Sequence, residues 1–277
     1  MQRYPVTKQS AGSSLVDFLA ATRECSLRKA KALLDARCVF VNGRRVWMAK
    51  HRLKQADVVE VHEAHAAPSP ARPGIDILWQ NADYLVVNKP PGLLSNGANS
   101  AETRLNESRS SSGGNVRAVH RLDKDTSGCL CLAKSARAFD QMVEHFRAGE
   151  ITKVYEAVVH GALERGLSIT KPIDELPATT HVQVLRAARE ITHLRVRIDT
   201  GRTHQIRKHL AQVGHPIVGD RQYCTLKLTD QRFRQVPRQL LHASTFTAPL
   251  GDGNQPVTVK APLPPDFAAA LKRLRLR

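Results

Sequence analysis

The chain has no apolar run near the roughly 18 residues that a membrane-spanning helix needs. Its first residues, Met1 to Ser14, are polar where a secretory leader would carry an apolar stretch. A soluble, cytoplasmic protein is therefore expected. Cysteine is scarce: Cys25, Cys38, Cys129, Cys131 and Cys224 make an odd set, with no Cys-x-x-Cys pair and no histidine spacing of the zinc type. Free thiols in a reducing compartment fit this usage, and no metal site is expected. Cys129 and Cys131 lie two apart in a strand-like segment and so share a face, as small buried hydrophobes. Acidic residues are the remaining shortage, 25 Asp and Glu against 42 Lys and Arg, for a formal charge of +17. This excess favours a polyanionic partner, nucleic acid first and an anionic membrane surface second. The absence of a basic amphipathic anchor argues against the membrane.

At 277 residues the chain is long enough for two domains with cores that need no disulfide staples. Residues 1–14 read as a flexible N-terminus and residues 15–63 as the first domain. Leu15-Val16-Asp17-Phe18-Leu19 begins a short amphipathic helix. Ser26 caps a second, Leu27 to Ala36, with Ala30, Leu33 and Leu34 on one side and Arg28, Lys29 and Lys31 left for solvent. Cys38 to Val41, an Asn42-Gly43 turn and Arg44 to Trp47 read as a hairpin, and Val58 to Val61 as a further strand. Residues 1–65 hold 12 Lys and Arg against 6 Asp and Glu. Two helices followed by Val-Phe-Val-Asn-Gly-Arg-Arg-Val resemble the alpha-L RNA-binding domain first recognised in a small-subunit ribosomal protein. That resemblance implies RNA contacts from Arg28, Lys29 and Lys31.

Residues 64–74, rich in Pro and small residues, read as an extended linker. From residue 75 to 277 the pattern is that of a second domain. Ile75 to Trp79 and Leu85 to Lys89 read as strands around Asn81-Ala82-Asp83, and Ser95 to Arg117 as a long polar loop without periodicity. Ser135 caps a helix whose apolar stripe is Phe139, Met142, Val143 and Phe146. Lys153 to Gly161 is strand-like with Tyr155, Ala157 and Val159 on one face, and a later strand alternates Leu194, Val196 and Ile198 with arginines. Arg202 to Leu210 opens a helix that closes at Gly214. Leu240 to Ala243 and Val257 to Val259 are further strand-like pieces. Strands outnumber helices and do not alternate regularly with them, which predicts an α+β fold with a mixed, mostly antiparallel sheet.

The densest chemistry lies in His120-Arg121-Leu122-Asp123-Lys124-Asp125-Thr126-Ser127-Gly128, which runs straight into the apolar Cys129 to Ala133. Polar groups at the mouth of a buried strand are well placed to hold a reactive side chain rigidly. Asp123, between Arg121 and Lys124, is expected to be ionised, and an ionised carboxylate can serve as nucleophile, base, metal ligand or plain ion-pair partner. Too few carboxylates and histidines converge here to favour a metal.

This segment resembles the signature of the RluA-like family of pseudouridine synthases. Three others match in the same order: Asn88-Lys89-Pro90-Pro91-Gly92-Leu93; Lys153-Val154-Tyr155-Glu156-Ala157-Val158; and Gly201-Arg202-Thr203-His204-Gln205-Ile206-Arg207 with Gly214-His215-Pro216-Ile217-Val218-Gly219-Asp220. The likeness runs from about residue 75 to 262. It implies the pseudouridine synthase fold and conversion of uridine in RNA to pseudouridine without a cofactor. The glycosidic bond is cut, uracil rotates, and carbon 5 is joined to the ribose. By the same resemblance Asp123 is the nucleophile, Tyr155 stacks on the uracil, and Arg207 pairs with Asp123. Leu241, or Leu240 beside it, walls the base, Arg202 contacts substrate, and Arg121 fills the space left by a flipped nucleotide. Asp125, Thr126 and Ser127 shape the turn, while His120, His204 and His209 take hydrogen-bonded structural roles. The implied partner is RNA, ribosomal RNA ahead of transfer RNA, met by a monomer. Left open are a non-catalytic RNA-binding or ribosome-assembly factor on the same fold, a transfer-RNA-directed synthase and, more weakly, a metal nuclease.

Overall fold

The computed structural model describes residues 2–35, 38–62, 74–109, 114–227, 230–251 and 255–274. They divide into two units, residues 1–73 with 224–237, and residues 74–223 with 238–277. Of the linker expected over 64–74, all but Gly74 lies outside the described residues.

The first unit contains β1 (Gln2–Pro5), α1 (Leu15–Thr22), α2 (Leu27–Asp35), β2 (Val39–Val41), β3 (Arg44–Arg45) and β4 (Val58–Val61), its sheet ordered β1-β4-β2-β3. Ser14 and Ser26 cap the two helices by accepting from the amides of Asp17 and Lys29, both at 3.3 Å. The hairpin turns on Asn42 (φ 50°) and Gly43 (φ 76°), a pair suited to a left-handed two-residue turn. Asn42 Oδ1 then accepts from Val58 N at 2.8 Å and ties the turn to β4. Leu15, Leu19, Ala30, Leu34, Val39 and Val59 are fully buried between helices and sheet. Burial of each large aliphatic among them contributes about 1.5–3 kcal/mol. The expectation of a flexible N-terminus does not hold. Residues 2–5 pair antiparallel with β4, whose edge would otherwise be unpaired, and Val6 is buried. Within this unit Arg234 reaches Glu60 at 2.7 Å and lies over the Phe40 ring.

The second unit is built on a sheet that has ten strands among the described residues. In chain order come β5 (Asp76–Gln80), β6 (Tyr84–Lys89), α3 (Ala101–Arg109), β7 (Arg117–Ala118), β8 (Ser127–Ala133), α4 (Ala136–Arg147), β9 (Thr152–His160), β10 (Leu167–Ile169), β11 (Thr180–Ala188), β12 (Ile191–Ile198) and α5 (Gln205–Gln212). The short α6 (Gln231–Arg234) belongs to the stretch that clusters with the first unit, and β13 (Leu241–Ala248), β14 (Val257–Lys260) and α7 (Pro265–Arg273) follow. The main path is β10-β11-β12-β9-β13-β8-β6-β5, with β14 beside β13 and β7 beside β8. All pairings between the named strands are antiparallel except β13 with β8, so the α+β class and the mixed, mostly antiparallel sheet are as expected. Every residue of β8 is buried, because the sheet is covered on both faces. Leu130 and Leu132 join the core that contains Ile206 and Leu210 of α5, whereas Cys129 and Cys131 join the one that contains Met142 of α4. No described helix is long and apolar enough to cross a membrane.

Two local expectations are corrected. Ser95 to Arg117 is not a loop throughout, since α3 lies inside it. Only Ala101 and Leu105 of that helix are buried, too few to show a periodic stripe. Its polar residues serve instead as ties: Asn106 exchanges two hydrogen bonds with the Val116 backbone, and Glu102 accepts from Ala118 N at 2.8 Å. The helix expected to open at Arg202 starts at Gln205, because His204 sits in the left-handed region at φ 56°, ψ 26°.

Candidate active site

Asp123 lies in the turn between β7 and β8, and the backbone on both sides of it is fixed. Ser95 Oγ accepts from Leu122 N at 2.8 Å and donates to Leu122 O at 3.0 Å. Thr126 N donates to Asp123 O, and Arg238 Nη1 to Asp125 O, both at 3.0 Å. Lys89 is wholly buried, and its Nζ donates to the carbonyls of Pro90, Leu93 and Lys124 at 3.0, 2.7 and 3.2 Å. Burial lowers its pKa to about 7 against the pull of Asp125 and Asp123. The Asn88 to Leu93 segment is thus a clamp under the Asp123 turn. The turn enters the sheet at Gly128, whose φ of +112° and closeness to β13 leave no room for a side chain: a Cβ there would lie 2.2 Å from Ala243 O.

The carboxylate of Asp123, one-fifth exposed, accepts from Arg207 Nη1 at 3.0 Å on Oδ2. Its Oδ1 lies 3.7 Å from His204 Nε2. Arg207 is delivered by α5, where Ile206 and Leu210 anchor the helix in the core. Its main partner is Asp220, to which it presents a bidentate fork of 2.6 and 3.0 Å. Asp220 has no exposed side-chain surface and also accepts from the amides of Gln222 and Tyr223. Burial alone would lower the pKa of Arg207; the Asp220 hydrogen bond and the charges of Asp220 and Asp123 more than offset it, and the guanidinium stays charged.

Around this carboxylate opens a cavity of about 230 Å³ whose lining includes Arg121, Asp123, Tyr155, Arg202, Arg207 and Leu241. Sheet register explains the apolar wall. Leu241 is opposite Ala157 across the β13–β9 pair, so it shares a sheet face with Ala157 and with Tyr155 two residues earlier. Tyr155 is buried, and burial, reinforced by Asp123, raises its pKa, so the phenol keeps its proton. Arg121 is exposed at the cavity, and Arg202 is steadied by Nε donating to Pro177 O at 3.1 Å. Leu240 is not among the lining residues and donates its amide to Val218 O. Arg28, Lys29 and Lys31 lie on α2 of the other unit, all exposed.

Sequence reading singled out neither Asp220 nor Lys89, although both stand in quoted segments. Lys153 also lines the cavity; burial lowers its pKa, and Asp199 pulls the other way. Histidine alone does not distinguish site from scaffold. His120 accepts from Cys131 N at 3.1 Å, stacks on Phe246 and is driven by burial to a pKa of about 3. His209 bridges Thr180 Oγ1 and Lys171 O. His204, by contrast, faces Asp123.

Residues 83–212 match the family model described as RNA pseudouridylate synthase. Ribosomal large subunit pseudouridine synthase D of Yersinia pestis is 36% identical, over 69% of this chain and 66% of that protein. The protein of the same name from Xanthomonas campestris is 35% identical over 80% of this chain and 75% of its own length. Among solved structures, Human RNA Pseudouridylate Synthase Domain Containing 4 superposes with a TM-score of 0.62 over 72% of this chain and 93% of that one, at 24% identity, a likeness of fold. The ordered segments around Asp123, Tyr155 and Arg207, the sheet that carries them and these matches agree: the chain belongs to the RluA-like family of RNA pseudouridine synthases.

Proposed function

We propose that this protein isomerises selected uridines of ribosomal RNA to pseudouridine, acting as a cytoplasmic monomer with Asp123 as nucleophile. The observation that carries the reading is the Asp123 carboxylate at a cavity, gripped by a buried, doubly paired Arg207, with Tyr155 and Leu241 on the adjoining sheet face. The target nucleotide leaves its stack at a cost of a few kcal/mol, and Arg121, exposed at the cavity, takes the vacated place. Uracil lies against Leu241 and stacks on Tyr155, a contact contributing roughly 1–3 kcal/mol. Asp123 then supplies an electron pair to the ribose or the base, the bond from N1 to the ribose breaks, and the ring turns. Carbon 5 bonds to the ribose and loses its proton, N1 gains one, and the bond to Asp123 is broken to restore the carboxylate, so the reaction is redox-neutral and no cofactor is called for. Arg207 fixes the carboxylate, and Arg202 meets the RNA backbone.

Two features favour ribosomal RNA. Both curated relatives carry ribosomal large subunit in their names, and the first unit, which we assign as an alpha-L RNA-binding domain over residues 15–63, exposes Arg28, Lys29 and Lys31. Mapping pseudouridines in ribosomal and transfer RNA from cells carrying the wild type or Asp123→Ala tests this. Sites lost from ribosomal RNA are expected. Loss confined to transfer RNA overturns the choice of substrate, and loss of no site leaves a non-catalytic RNA-binding factor.

A further inference from the structure

We propose that His204 and Tyr223 form a positioning pair for Asp123, in which the Tyr223 hydroxyl donates to His204 Nδ1 and so points a His204 Nε2 proton at Oδ1 of the carboxylate. The proposal rests on the reading of Asp123 as nucleophile.

The geometry is specific. His204 Nδ1 and the Tyr223 hydroxyl are 2.9 Å apart, and the two rings meet edge-on at 5.7 Å. On the far side of the imidazole, Nε2 lies 3.7 Å from Asp123 Oδ1. A carboxylate only accepts, so the arrangement is favourable when the imidazole carries its proton on Nε2; Nδ1 then has a lone pair, and the phenol is its donor. Titration agrees. Burial raises the Tyr223 pKa, keeping the donor protonated. Burial likewise lowers the His204 pKa, outweighing the opposing pull of Asp123 and Asp220, with Arg207 and Lys208 acting in the same direction as burial. His204 is therefore a neutral donor near pH 7.

Backbone conformation adds a second argument. His204 occupies the left-handed region immediately before α5, a conformation that is strained for a residue other than glycine and persists where surroundings impose it. Part of that support comes from the segment after Ile217. Asp220 takes the fork of Arg207, Gln222 Oε1 lies 3.4 Å from Arg207 Nη2, and the Tyr223 ring lies 5.0 Å from the Arg207 guanidinium while its hydroxyl holds His204. One turn thus braces both partners of the carboxylate.

The consequence is a difference between the two oxygens of Asp123. Oδ2 is bound by a charge-assisted hydrogen bond to Arg207, whereas Oδ1 faces a donor at a distance longer than a hydrogen bond. Oδ1 therefore keeps the more available lone pair and is the atom that bonds to substrate carbon, the displaced electron pair going to N1 as the glycosidic bond breaks if that carbon is the ribose's, or onto carbon 5 and its neighbouring carbonyl if it is the base's; the bond to Oδ1 is broken again before product leaves. His204 fixes its direction, and no proton leaves the imidazole in the step.

Single-turnover rates, RNA affinities and melting temperatures of His204→Ala, His204→Gln and Tyr223→Phe test the pair. His204→Ala should lower the rate about tenfold, no more than the lower end for a hydrogen bond to a charged group because the contact is longer than one, with RNA affinity within about threefold of wild type. His204→Gln, whose amide offers an N–H near the same place, should recover most of that loss. Tyr223→Phe should cost about 3- to 10-fold and shift the imidazole from one tautomer to a mixture in long-range ¹⁵N–¹H spectra. A wild-type rate in His204→Ala, or a His204→Gln protein as impaired as His204→Ala with unchanged melting and binding, overturns the proposal. The tautomer is read without substrate. A wild-type protein with the Nε2 proton but no isomerase activity would defeat the functional reading alone, while a proton on Nδ1 would defeat the pair alone.

Discussion

Arg207 gives its bidentate fork to Asp220, at 2.6 and 3.0 Å, and a single nitrogen to Asp123. The guanidinium is thus held by one carboxylate so that it can hold another. Asp220→Ala would leave a buried cation with one carboxylate partner, itself partially exposed. Breaking a buried pair in this way is expected to cost about 3 kcal/mol or more, read as the free energy of urea unfolding, and to slow single-turnover isomerisation at least about tenfold, because Arg207 becomes free to swing away from Asp123. A loss of stability below about 1 kcal/mol would mean that the fork contributes no more than a surface pair.

Asp123→Ala removes the group on which the cavity is centred while leaving its walls in place. No pseudouridine should form in any RNA the wild type modifies. RNA affinity should stay within a few-fold, since nucleic-acid phosphates are held mostly by cationic and hydrogen-bond-donating groups and not by a carboxylate. Turnover near the wild-type rate in this variant would remove Asp123 from the mechanism.

The parts of the fold legible in the sequence are those governed by local rules. The Asn42-Gly43 hairpin, the Ser135 cap of α4 and the alternation of β12 all follow from neighbours within a few residues. What was not legible depends on interactions remote in sequence. The helix α3 buries two side chains only, and the polar ties of Glu102 and Asn106 reach residues 10 to 16 positions away. β11 has one face exposed along much of its length, and its irregular register near Val184 breaks the alternation that would mark it. At the site, Asp123 and Arg207 could be singled out by their segments, whereas the fork of Arg207 to Asp220 and the left-handed backbone of His204 are properties of packing that no spacing announces.

Gly128 marks the point where close approach of two strands limits the sequence most severely. Its φ of +112° disfavours any L side chain, and a Cβ would meet the Ala243 carbonyl at 2.2 Å, backbone that cannot rotate away. Gly128→Ala should destabilise the protein by about 3 kcal/mol or more and pull β8 from β13, which lowers activity as well. Melting within a degree of wild type would show that the β8–β13 pair can spread at little cost.

Acid should weaken this fold before its carboxylates are titrated. Burial lowers the pKa of His120 from 6.5 to about 3 and that of His160 to about 4. Between pH 6.5 and these values the unfolded chain binds protons that the folded chain refuses, so stability rises with pH across that window and falls as the pH is lowered through it. The stabilising effect of keeping both rings neutral is fully present above about pH 6.5. Urea unfolding of wild type and of His120→Gln between pH 7 and pH 5 measures this: the variant should show a shallower loss. Equal slopes would assign the acid sensitivity to other groups.

Arg28, Lys29 and Lys31 test whether the first unit touches RNA. They lie within four positions on α2, all exposed, and a basic face of this kind binds by releasing counterions from phosphates. Replacing all three by Gln in the full chain leaves the helix intact, since Gln is nearly as good a helix former as Lys or Arg. If each meets a phosphate, the slope of log affinity against log salt should flatten by about 2–3 units, at roughly 0.7–0.9 for every phosphate no longer neutralised. Affinity at low salt should fall accordingly, while single-turnover chemistry at saturating protein should hold within a few-fold, because the proposed reacting groups lie in the second unit. An unchanged slope with unchanged melting would show that these three side chains are a solvated face, and the RNA-binding surface would then have to be sought elsewhere on the protein.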